Sequence, residues 1–507
     1  MLFVISCMPI TVTLVEVHIM GALQNTEAVV ADQIQSSSVS AILQASLSDQ
    51  RAAYFDKPTP DYAQRKSDLL ALKALLSENL DDIVEAINAD YGNRSKHETI
   101  FAEVISVTDC INDTIKHLKK WMKVQRRHVD KTMFFGAKNR VIPQPLGVVG
   151  LIIPWNFPVN LSFSQLCAAF AAGNRAMVKM SENSRALSRV LMELSPKYFA
   201  KEKLEFFEET GGVGIEFSKL PFDLLIFTGS GQTGRKVMAA AADNLTPVIL
   251  ELGGKAPAVI DPDYSLSKAV DRIMYVKQFN AGQICTNVDY VFVHETQIEE
   301  FVTLAQAYVA QHCPDVNSQD YTAIIDSPSM QRLMQTLDDA KNKGARVVNL
   351  SGAQEANAEQ RKLPLHIVLD TTDDMIIRQR ETFGPLLMVL AYRDPKEVVS
   401  YVNAGSRPLA FYPFSNDDKL VDMYIDRIMS GGVTVNDALF HVAQHDIPFG
   451  GIGESGMGHY HGYEGFVACS KMRPVFYQAN TNFMKYMSPP YGKFADRVLK
   501  VLVKMKG

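Results

Sequence analysis

The first part of the chain carries apolar residues at the spacing of amphipathic helices. In the segment 62–92, "YAQRKSDLLALKALLSENLDDIVEAINADYG", leucine and isoleucine recur every three or four positions, as they do along one face of a helix. The apolar positions are Leu69, Leu70, Leu72, Leu75, Leu76, Leu80 and Ile83. The pattern predicts helices from about Ser46 to Lys120 that pack against a sheet.

The pattern changes after residue 147 to short β-rich runs separated by helical stretches. One series comprises 148–153, 175–180, 204–210, 224–227 and 247–252, and a second comprises 256–260, 290–295, 345–350, 365–370, 386–392 and 432–436. Such alternation indicates right-handed βαβ units in mostly parallel sheets. The sequence therefore predicts an α/β protein with two α/β domains in tandem, divided near residues 253–254.

Composition and charge narrow the class of partner. The chain has 507 residues, 47% hydrophobic and 21% charged, with a net charge of −5, so it has no general attraction for nucleic acid or an anionic membrane. A small-molecule substrate fits better. The six cysteines and 11 histidines show neither a disulfide framework nor metal-ligand spacing. We therefore expect a cytoplasmic protein without a metal.

The two ends of the chain differ from the rest. Residues 1–45 read as a flexible extension, and residues 1–19 lack the basic region of a signal peptide, so we expect translation to begin at Met20. The tail ends in a short basic amphipathic helix whose apolar side includes Val498, Leu499, Leu502 and Val503. Because a single short helix binds lipid only marginally, docking on its own chain or on a partner subunit is favoured.

A glycine-rich turn between a predicted strand and a helix suggests a dinucleotide site. "LLIFTGSGQTGR" places Gly229, Gly231 and Gly234 in a G-x-G-x-x-G pattern, which lets backbone N–H groups approach phosphate. Glu251 lies near the position where such sites carry an acid for the ribose. It also ends an apolar run in "VILELGGK", where a carboxylate can act as a base or pair with Lys255, and the residues alone leave these roles open.

Two further stretches contain candidate catalytic residues. Cys285, in "FNAGQICTN", has small and polar neighbours, which suit a nucleophile, although a lone thiol is often inert. Cys167 and Cys469 lie in apolar runs typical of buried thiols. In "IIPWNFPVNL" two prolines flank Asn156 and would hold its amide rigidly, either to donate to an oxyanion or as part of a structural loop.

Taken together, the motifs "PWNFP", "VKMSE", "FTGSGQTGR", "LELGGK", "FNAGQICTN" and "ETFGP" resemble the aldehyde dehydrogenase superfamily. The resemblance runs from about Ser46 to Tyr477 and is strongest to the branch that contains coniferyl aldehyde dehydrogenases and fatty-aldehyde-oxidising enzymes. It implies a Rossmann-like cofactor domain (46–253), an α/β catalytic domain (254–436), and a return segment (437–507). A small β oligomerisation arm would be built from 121–145 and 471–488.

The resemblance also implies roles for individual residues. Cys285 becomes the nucleophile, Glu251 the general base, and Asn156 the oxyanion donor together with the Cys285 N–H. NAD is the implied cofactor and NADP the alternative that relatives of this branch often accept, and the carboxylate of Glu182 favours the free 2′-hydroxyl of NAD. The implied cofactor-binding residues are Ile153, Trp155, Lys179, Glu182, Gly212, Gly229, Ser230, Gly234, Leu252, Glu381 and Phe383.

The implied reaction is oxidation of a coniferaldehyde-like aromatic or apolar aldehyde to the acid, through a cysteine thiohemiacetal and thioester, in a homodimer. Phe157, Tyr290 and Phe440 are candidates for the substrate tunnel. The alternatives are a long-chain fatty aldehyde dehydrogenase, a cofactor-independent cysteine esterase and a catalytically silent homologue.

Three positions depart from the family pattern. Met180 stands where proline is usual, Pro413 where an aromatic residue is common, and Asn287-Val288 where a small residue precedes proline. We expect these changes to affect the cofactor turn, the substrate fit and the surroundings of the cysteine more than the reaction type.

Overall fold

The computed structural model describes residues 38–480 and 487–507. The predicted start at Met20 and part of the predicted arm segment, 481–486, lie outside these ranges. Within them, no helix combines the length and the hydropathy needed to cross a membrane.

Helices and strands alternate along most of the described chain. The α-helices are α1 (38–56), α2 (Tyr62–Glu78), α3 (Leu80–Tyr91), α4 (Lys96–Thr99), α5 (Ser106–Trp121), α6 (Pro158–Ala172), α7 (Arg185–Leu194), α8 (Val213–Ser218), α9 (Gly231–Ala242), α10 (Leu266–Gln278), α11 (Ile298–His312), α12 (Ser327–Asn342), α13 (Ile376–Gln379), α14 (Pro395–Ala404), α15 (Asp418–Arg427), α16 (Gly462–Ala468) and α17 (Lys493–Lys506). A π-helical turn, Ile100–Ile105, joins α4 to α5.

The strands fall where the β-rich runs predicted most of them. They are β1 (Gln125–Arg127), β2 (Lys138–Pro145), β3 (Val148–Ile152), β4 (Arg175–Lys179), β5 (Leu204–Phe207), β6 (Leu224–Gly229), β7 (Val248–Leu252), β8 (Ala256–Ile260), β9 (Val288–His294), β10 (Arg346–Asn349), β11 (His366–Leu369), β12 (Leu386–Tyr392), β13 (Ala410–Phe414), β14 (Gly432–Val433), β15 (Gly456–Met457) and β16 (Ser470–Tyr477).

The first sheet has the order β15-β7-β6-β3-β4-β5, and β3 to β7 are parallel. Its strands are apolar on both faces because helices cover both sides. From β3 the chain builds β4 and β5 on one side and then returns to build β6 and β7 on the other. The loops after β3 and β6 therefore diverge, and ligands of α/β sheets bind in the crevice that such a divergence opens.

The second sheet has the order β10-β11-β12-β9-β8-β13-β14 and is parallel except for β10. Together the two sheets confirm the predicted α/β fold. The predicted run 432–436 contributes only the short β14. The sequence reading missed β13, because Pro413 lies inside it and proline cannot donate to a ladder. Pro413 still lies opposite Val259 of β8 in the parallel register, and its carbonyl accepts from the Asn436 N–H at 2.8 Å.

A third, antiparallel sheet has the order β1-β2-β16. The pairing of β2 with β16 is continuous from Ser470 opposite Pro145 to Tyr477 opposite Lys138. It joins two segments that are far apart in sequence, which confirms the β arm of the predicted fold class.

The N-terminal helices pack as their apolar spacing predicts, with one exception. Leu69, Leu72, Leu75 and Leu76 are fully buried, whereas Leu70 is 46% exposed. Residues 38–45, which we expected to belong to a flexible extension, are the first part of α1, and Leu43 is buried against the first sheet.

The C-terminal helix α17 touches its own chain at both ends. Ala495 is buried, and the Lys506 ammonium pairs with Asp130 near the arm. Most of the apolar face between them is exposed, including Leu499, Val501 and Val503.

Candidate active site

Cys285 lies in the loop between α10 and β9, directly after a strained turn. Asn280, Ala281 and Gly282 have φ angles of 52°, 49° and 71°. Left-handed backbone costs a residue with a side chain roughly 1–2 kcal/mol, so two such residues in succession need support from their surroundings. At Gly282 a Cβ would lie 2.4 Å from the Gly384 carbonyl oxygen, so the approach of these two loops requires glycine.

Buried hydrogen bonds provide that support. The Asn280 N–H donates to Glu98 Oε2 at 3.1 Å, and its side-chain amide donates to the carbonyl oxygens of Asn156 and Gln283 at 3.2 and 3.1 Å. On the other side of the cysteine, the Asn287 amide donates to the Gly282 carbonyl at 2.7 Å. The departure from the family pattern at Asn287 therefore braces the turn that carries Cys285.

Cys285 lines a cavity of about 220 Å³. The wall is mostly aromatic and aliphatic, and the π-helical turn contributes to it, as π-helical insertions at functional sites often do. Phe157 and Phe440, two of the candidates for the substrate tunnel, line this cavity. Tyr290 was predicted wrongly, because it is buried within β9 and packs edge-to-face on Phe292. The other lining residues include Phe101, Ile105, Asp109, Phe279, His445, Phe449, Tyr460 and His461.

The electrostatic surroundings of Cys285 keep its thiol protonated. Burial first, and then the carboxyl groups of Glu381 and Glu251, raise the pKa of the thiol to about 12 against the opposing N–H groups of Thr286 and Cys285. The thiol is therefore neutral near pH 7, although two N–H groups are available to a negative charge on or beside the sulfur. The other described cysteines, Cys110, Cys167, Cys313 and Cys469, are also free thiols.

Glu251 lies near the end of β7 and is 3% exposed. Neither of its carboxylate oxygens has a hydrogen-bond partner among the described residues. Burial raises the pKa of Glu251 well above its ordinary value, and the Gly451 N–H opposes this rise without completing a hydrogen bond. Lys255 pairs with Asp289 instead, so the interpretation of Glu251 as the structural partner of Lys255 was wrong.

The glycine-rich loop 450–458 encloses Glu251. Gly456 pairs with Glu251 across β15 and β7, and a Cβ at Gly450 would lie 3.0 Å from Glu251 Oε1. Tyr460, just beyond this loop, is also buried, and after burial itself Glu251 and Cys285 are the next causes that raise the pKa of its hydroxyl. The base candidate and the thiol are therefore buried groups within electrostatic range of each other.

Asn156 is joined to the cysteine loop. Its side-chain amide donates to the Gln283 carbonyl at 3.3 Å, two residues before Cys285. The backbone carbonyl oxygen of Asn156 accepts from Tyr91 Oη at 3.0 Å, from Arg94 Nη1 at 2.8 Å and from the side-chain amide of Asn280.

Arg94 extends this network to the start of α6. It forms an ion pair of 3.1 Å with Glu103, and neither side chain is exposed. Glu103 in turn accepts from the N–H groups of Val159 and Asn160 at 3.0 and 2.7 Å, which are among the unpaired donors of the first helical turn. The loop between β3 and α6 is thus fixed at Asn156 and at its junction with α6.

The predicted dinucleotide turn has the expected strand, turn and helix. Ser230 caps α9 by accepting from the Thr233 N–H at 3.2 Å, and Gly231 and Gln232 lie in the first turn, where N–H groups have no intrahelical acceptor. A Cβ at Gly234 would lie 2.7 Å from Leu252 Cδ2, so this glycine lets α9 pack closely on the sheet. Backbone donors at the N-terminus of a 12-residue helix fit a pyrophosphate group.

Predicted cofactor-binding residues from the two α/β units contact each other. Trp155, after β3, packs edge-to-face on Phe383, with ring centroids 5.6 Å apart. Ile153 is buried beside them. Burial and then Asp289 raise the pKa of Glu381 to about 8, and a Cβ at Gly253 would lie 2.2 Å from its Oε2.

At the end of β4, two of the predicted cofactor-binding residues, Lys179 and Glu182, lie in different surroundings. Lys179 forms its ion pair, at 2.7 Å, with Glu209, whereas Glu182 is exposed. Gly212 has a left-handed φ of 77°. The Met180 N–H donates to the Phe207 carbonyl at 3.0 Å, a hydrogen bond that the usual proline could not make.

Sequence reasoning missed the polar residues that support the site. Tyr91, Arg94 and Glu103 belong to the region that the apolar pattern marked only as helical. Their signal is weak because polar residues on helices are usually solvated. Glu209 lies in a β-rich run and Tyr460 follows a glycine-rich stretch, and neither position carries a recognisable motif.

Comparisons with known proteins identify the class. The model of the aldehyde dehydrogenase family matches residues 22–475. The chain is 45% identical to a probable coniferyl aldehyde dehydrogenase of Pseudomonas aeruginosa, covering 90% of this chain and 95% of that protein. It is 40% identical to a coniferyl aldehyde dehydrogenase of a Pseudomonas species, covering 91% and 96%. The substrate-bound AldH structure of Staphylococcus aureus has a TM-score of 0.85 and 30% identity, covering 91% and 99%.

The chain belongs to the aldehyde dehydrogenase family. The predicted fold and the predicted oxidoreductase class are confirmed, and so is the predicted similarity to coniferyl aldehyde dehydrogenases. Enzymes of this family oxidise aldehydes with NAD(P).

The electrostatics of the cavity predict how Cys285 reacts in the cofactor-free protein. Because its pKa is raised to about 12, the thiolate fraction should grow about tenfold with each pH unit between 7 and 10. The iodoacetamide alkylation rate of the Cys285 peptide, followed by mass spectrometry, should rise in the same proportion. The Cys285→Ser variant controls for the other thiols. A plateau below pH 8 would contradict the environment described.

Proposed function

We propose that this protein is an NAD(P)-dependent aldehyde dehydrogenase that oxidises coniferaldehyde-like aromatic aldehydes, with Cys285 as the nucleophile. The observation that carries the proposal is the convergence of three groups. Cys285 faces an apolar cavity, the unpaired carboxyl of Glu251 lies in electrostatic range of its thiol, and the Asn156 amide is tied to the same loop.

In the proposed mechanism, the Cys285 thiol gives up its proton to solvent, Sγ adds to the aldehyde carbon, and the carbonyl oxygen becomes an oxyanion. The Asn156 amide and the Cys285 N–H stabilise that charge. The resulting tetrahedral thiohemiacetal carbon carries the hydrogen that must leave as hydride. When bound, NAD(P)⁺ supplies the hydride acceptor, and the turn from Gly229 to Gly234 together with Glu381 and Phe383 would hold it.

Loss of hydride leaves a thioester on Cys285. Glu251 then takes a proton from water, which attacks the thioester carbon and expels the sulfur. The expelled thiolate takes that proton back from Glu251, so the products are the carboxylic acid and the regenerated thiol. The raised pKa of Glu251 suits this step, because a base whose pKa is closer to the working pH accepts a proton more readily.

Aromatic rings in the cavity support a planar substrate. Phe157, Phe279 and Phe440 line the cavity. Phe157 and Phe279 are stacked with an interplanar angle of 16°, and Tyr275, which is not a lining residue, stacks on both Phe279 and Phe440. Flat faces of this kind pack favourably on a conjugated ring. The names of the relatives, coniferyl aldehyde dehydrogenases, agree with this choice.

A homodimer and a cytoplasmic location complete the proposal. Strand β16 lies at the edge of the arm sheet, and its Phe476 and Tyr477 are 47% and 43% exposed. An edge strand with exposed aromatic residues is suited to pairing with a second copy. The free cysteines of the described chain are consistent with a reducing compartment.

Replacing the nucleophile tests the reaction. The Cys285→Ala variant should lose aldehyde-dependent reduction of NAD⁺ by roughly 10³-fold or more, because no other group can form the covalent intermediate. Reduced-nicotinamide absorbance measures the rate. Cys313→Ala, which removes a buried thiol outside the cavity, is the matched control and should remain active.

Two outcomes would count against this mechanism. Oxidation that persists in Cys285→Ala would exclude a covalent role for the sulfur. Ester cleavage by the wild type without any reduction of NAD⁺ would instead favour a cofactor-independent cysteine esterase.

The aromatic cavity predicts a selective effect of Phe440. In Phe440→Leu, kcat/KM for coniferaldehyde should fall by roughly two- to tenfold, the equivalent of one lost aromatic contact, and kcat/KM for decanal should change little. Phe55→Leu, at a position 73% exposed and outside the cavity, is the control. A wild-type preference for decanal would support the long-chain alternative.

A further inference from the structure

Lys179, at the end of β4, is already neutralised by a carboxylate of its own chain. Its Nζ lies 2.7 Å from Glu209 Oε2, and their side chains are 8% and 14% exposed. Glu182, the acid that the family resemblance places at the adenosine ribose, is exposed and accepts a hydrogen bond from the neighbouring Ser181 hydroxyl at 3.3 Å. The carboxylate paired with Lys179 is therefore Glu209.

Glu209 is held in place by the turn that follows it. Its carboxylate accepts from the N–H groups of Gly211, Val213 and Gly214 at 3.0, 3.0 and 2.9 Å. Burial alone would raise the pKa of Glu209, but the hydrogen bond and charge of Lys179 and the backbone donors outweigh it and hold the pKa below its ordinary value. The carboxylate is therefore charged at neutral pH and cannot rotate away without losing several hydrogen bonds.

The packing around the pair also requires glycine. A Cβ at Gly214 would lie 3.1 Å from Glu209 Oε2 and 3.2 Å from Lys179 Nζ. The backbone of α8 can approach the two charges this closely only because residue 214 has no side chain.

The pair lies at the edge of the sheet where the cofactor crevice opens. Lys179 is opposite Ile152 in β3 and Phe207 in β5, and its carbonyl accepts from the Ile153 N–H at 3.0 Å. Ile153 and Lys179 are thus at the same carboxyl edge as the Gly229 turn. Any group on the adenosine ribose that reaches Lys179 also meets Glu209.

We propose that Glu209 is a specificity-determining residue that excludes the 2′-phosphate of NADP, so that the enzyme binds NAD preferentially. This inference rests on the proposed NAD(P)-dependent function. A 2′-phosphate is an anion and needs a cation that is free to pair with it. Here the ammonium of Lys179 is engaged, and the adjoining carboxylate repels the phosphate, whereas a free 2′-hydroxyl can donate a hydrogen bond to that carboxylate.

The test is calorimetric titration of the cofactor-free enzyme with NAD⁺ and with NADP⁺. In Glu209→Gln, which keeps the shape and one acceptor oxygen, the ratio of the NADP⁺ to the NAD⁺ dissociation constant should fall about tenfold relative to wild type. Glu208→Gln is the matched control, because Glu208 pairs with Arg189 on the neighbouring surface. It should leave the ratio unchanged, as should Glu209→Asp, which retains the charge.

The outcomes separate the two proposals. Equal wild-type affinity for both cofactors, or an unchanged ratio in Glu209→Gln, would overturn the role of Glu209 while leaving the dehydrogenase function intact. Failure of the wild type to bind either cofactor would overturn both. If thermal melting shows that Glu209→Gln is unfolded, Glu209→Ser provides a second neutral variant with the same expected fall in the ratio.

Discussion

The buried ion pair between Arg94 and Glu103 is the interaction on which the site geometry depends. Arg94 donates to the Asn156 carbonyl, and Glu103 accepts two N–H groups at the start of α6. The guanidinium also lies 4.9 Å from the ring centroids of Tyr91 and Phe157. Loss of one partner of such a pair typically costs about 3–5 kcal/mol, because the other is left as an unpaired buried charge. The rigidity of the oxyanion candidate is therefore maintained by residues that touch neither substrate nor cofactor.

The same low-dielectric interior governs the reacting groups. Cys285 and Glu251 both have raised pKa values because burial disfavours their charged forms, so the resting site holds a neutral thiol and a carboxyl group that protonates readily. In the proposed mechanism, the site becomes reactive when a ligand brings charge and polar groups into it. This arrangement explains how a thiol can lie in an accessible cavity and remain unreactive until a substrate is present.

The sequence predicted the parts of this account that depend on local pattern. Strand positions followed from apolar runs, and the turn after β6 from Gly229, Gly231 and Gly234. It failed where local signals conflict with tertiary packing: Pro413 concealed β13, and Leu70, on an apolar stripe, is exposed. Glu209 and the pair of Arg94 with Glu103 could not be predicted, because their roles come from contacts between segments that the fold brings together. Tyr290 failed for a related reason, since a strand residue near Cys285 in sequence points into the core.

The central claim is that oxidation proceeds through an acyl group on Cys285 that Glu251 helps water to remove. The most direct measurement is intact-protein and peptide mass spectrometry of Glu251→Gln after incubation with NAD⁺ and coniferaldehyde. The account predicts a covalent adduct on the Cys285 peptide with the mass of the aldehyde less two hydrogens, because a thioester replaces the S–H. Reduction of NAD⁺ by the wild type together with no adduct in the variant, or an adduct on another cysteine, would contradict it.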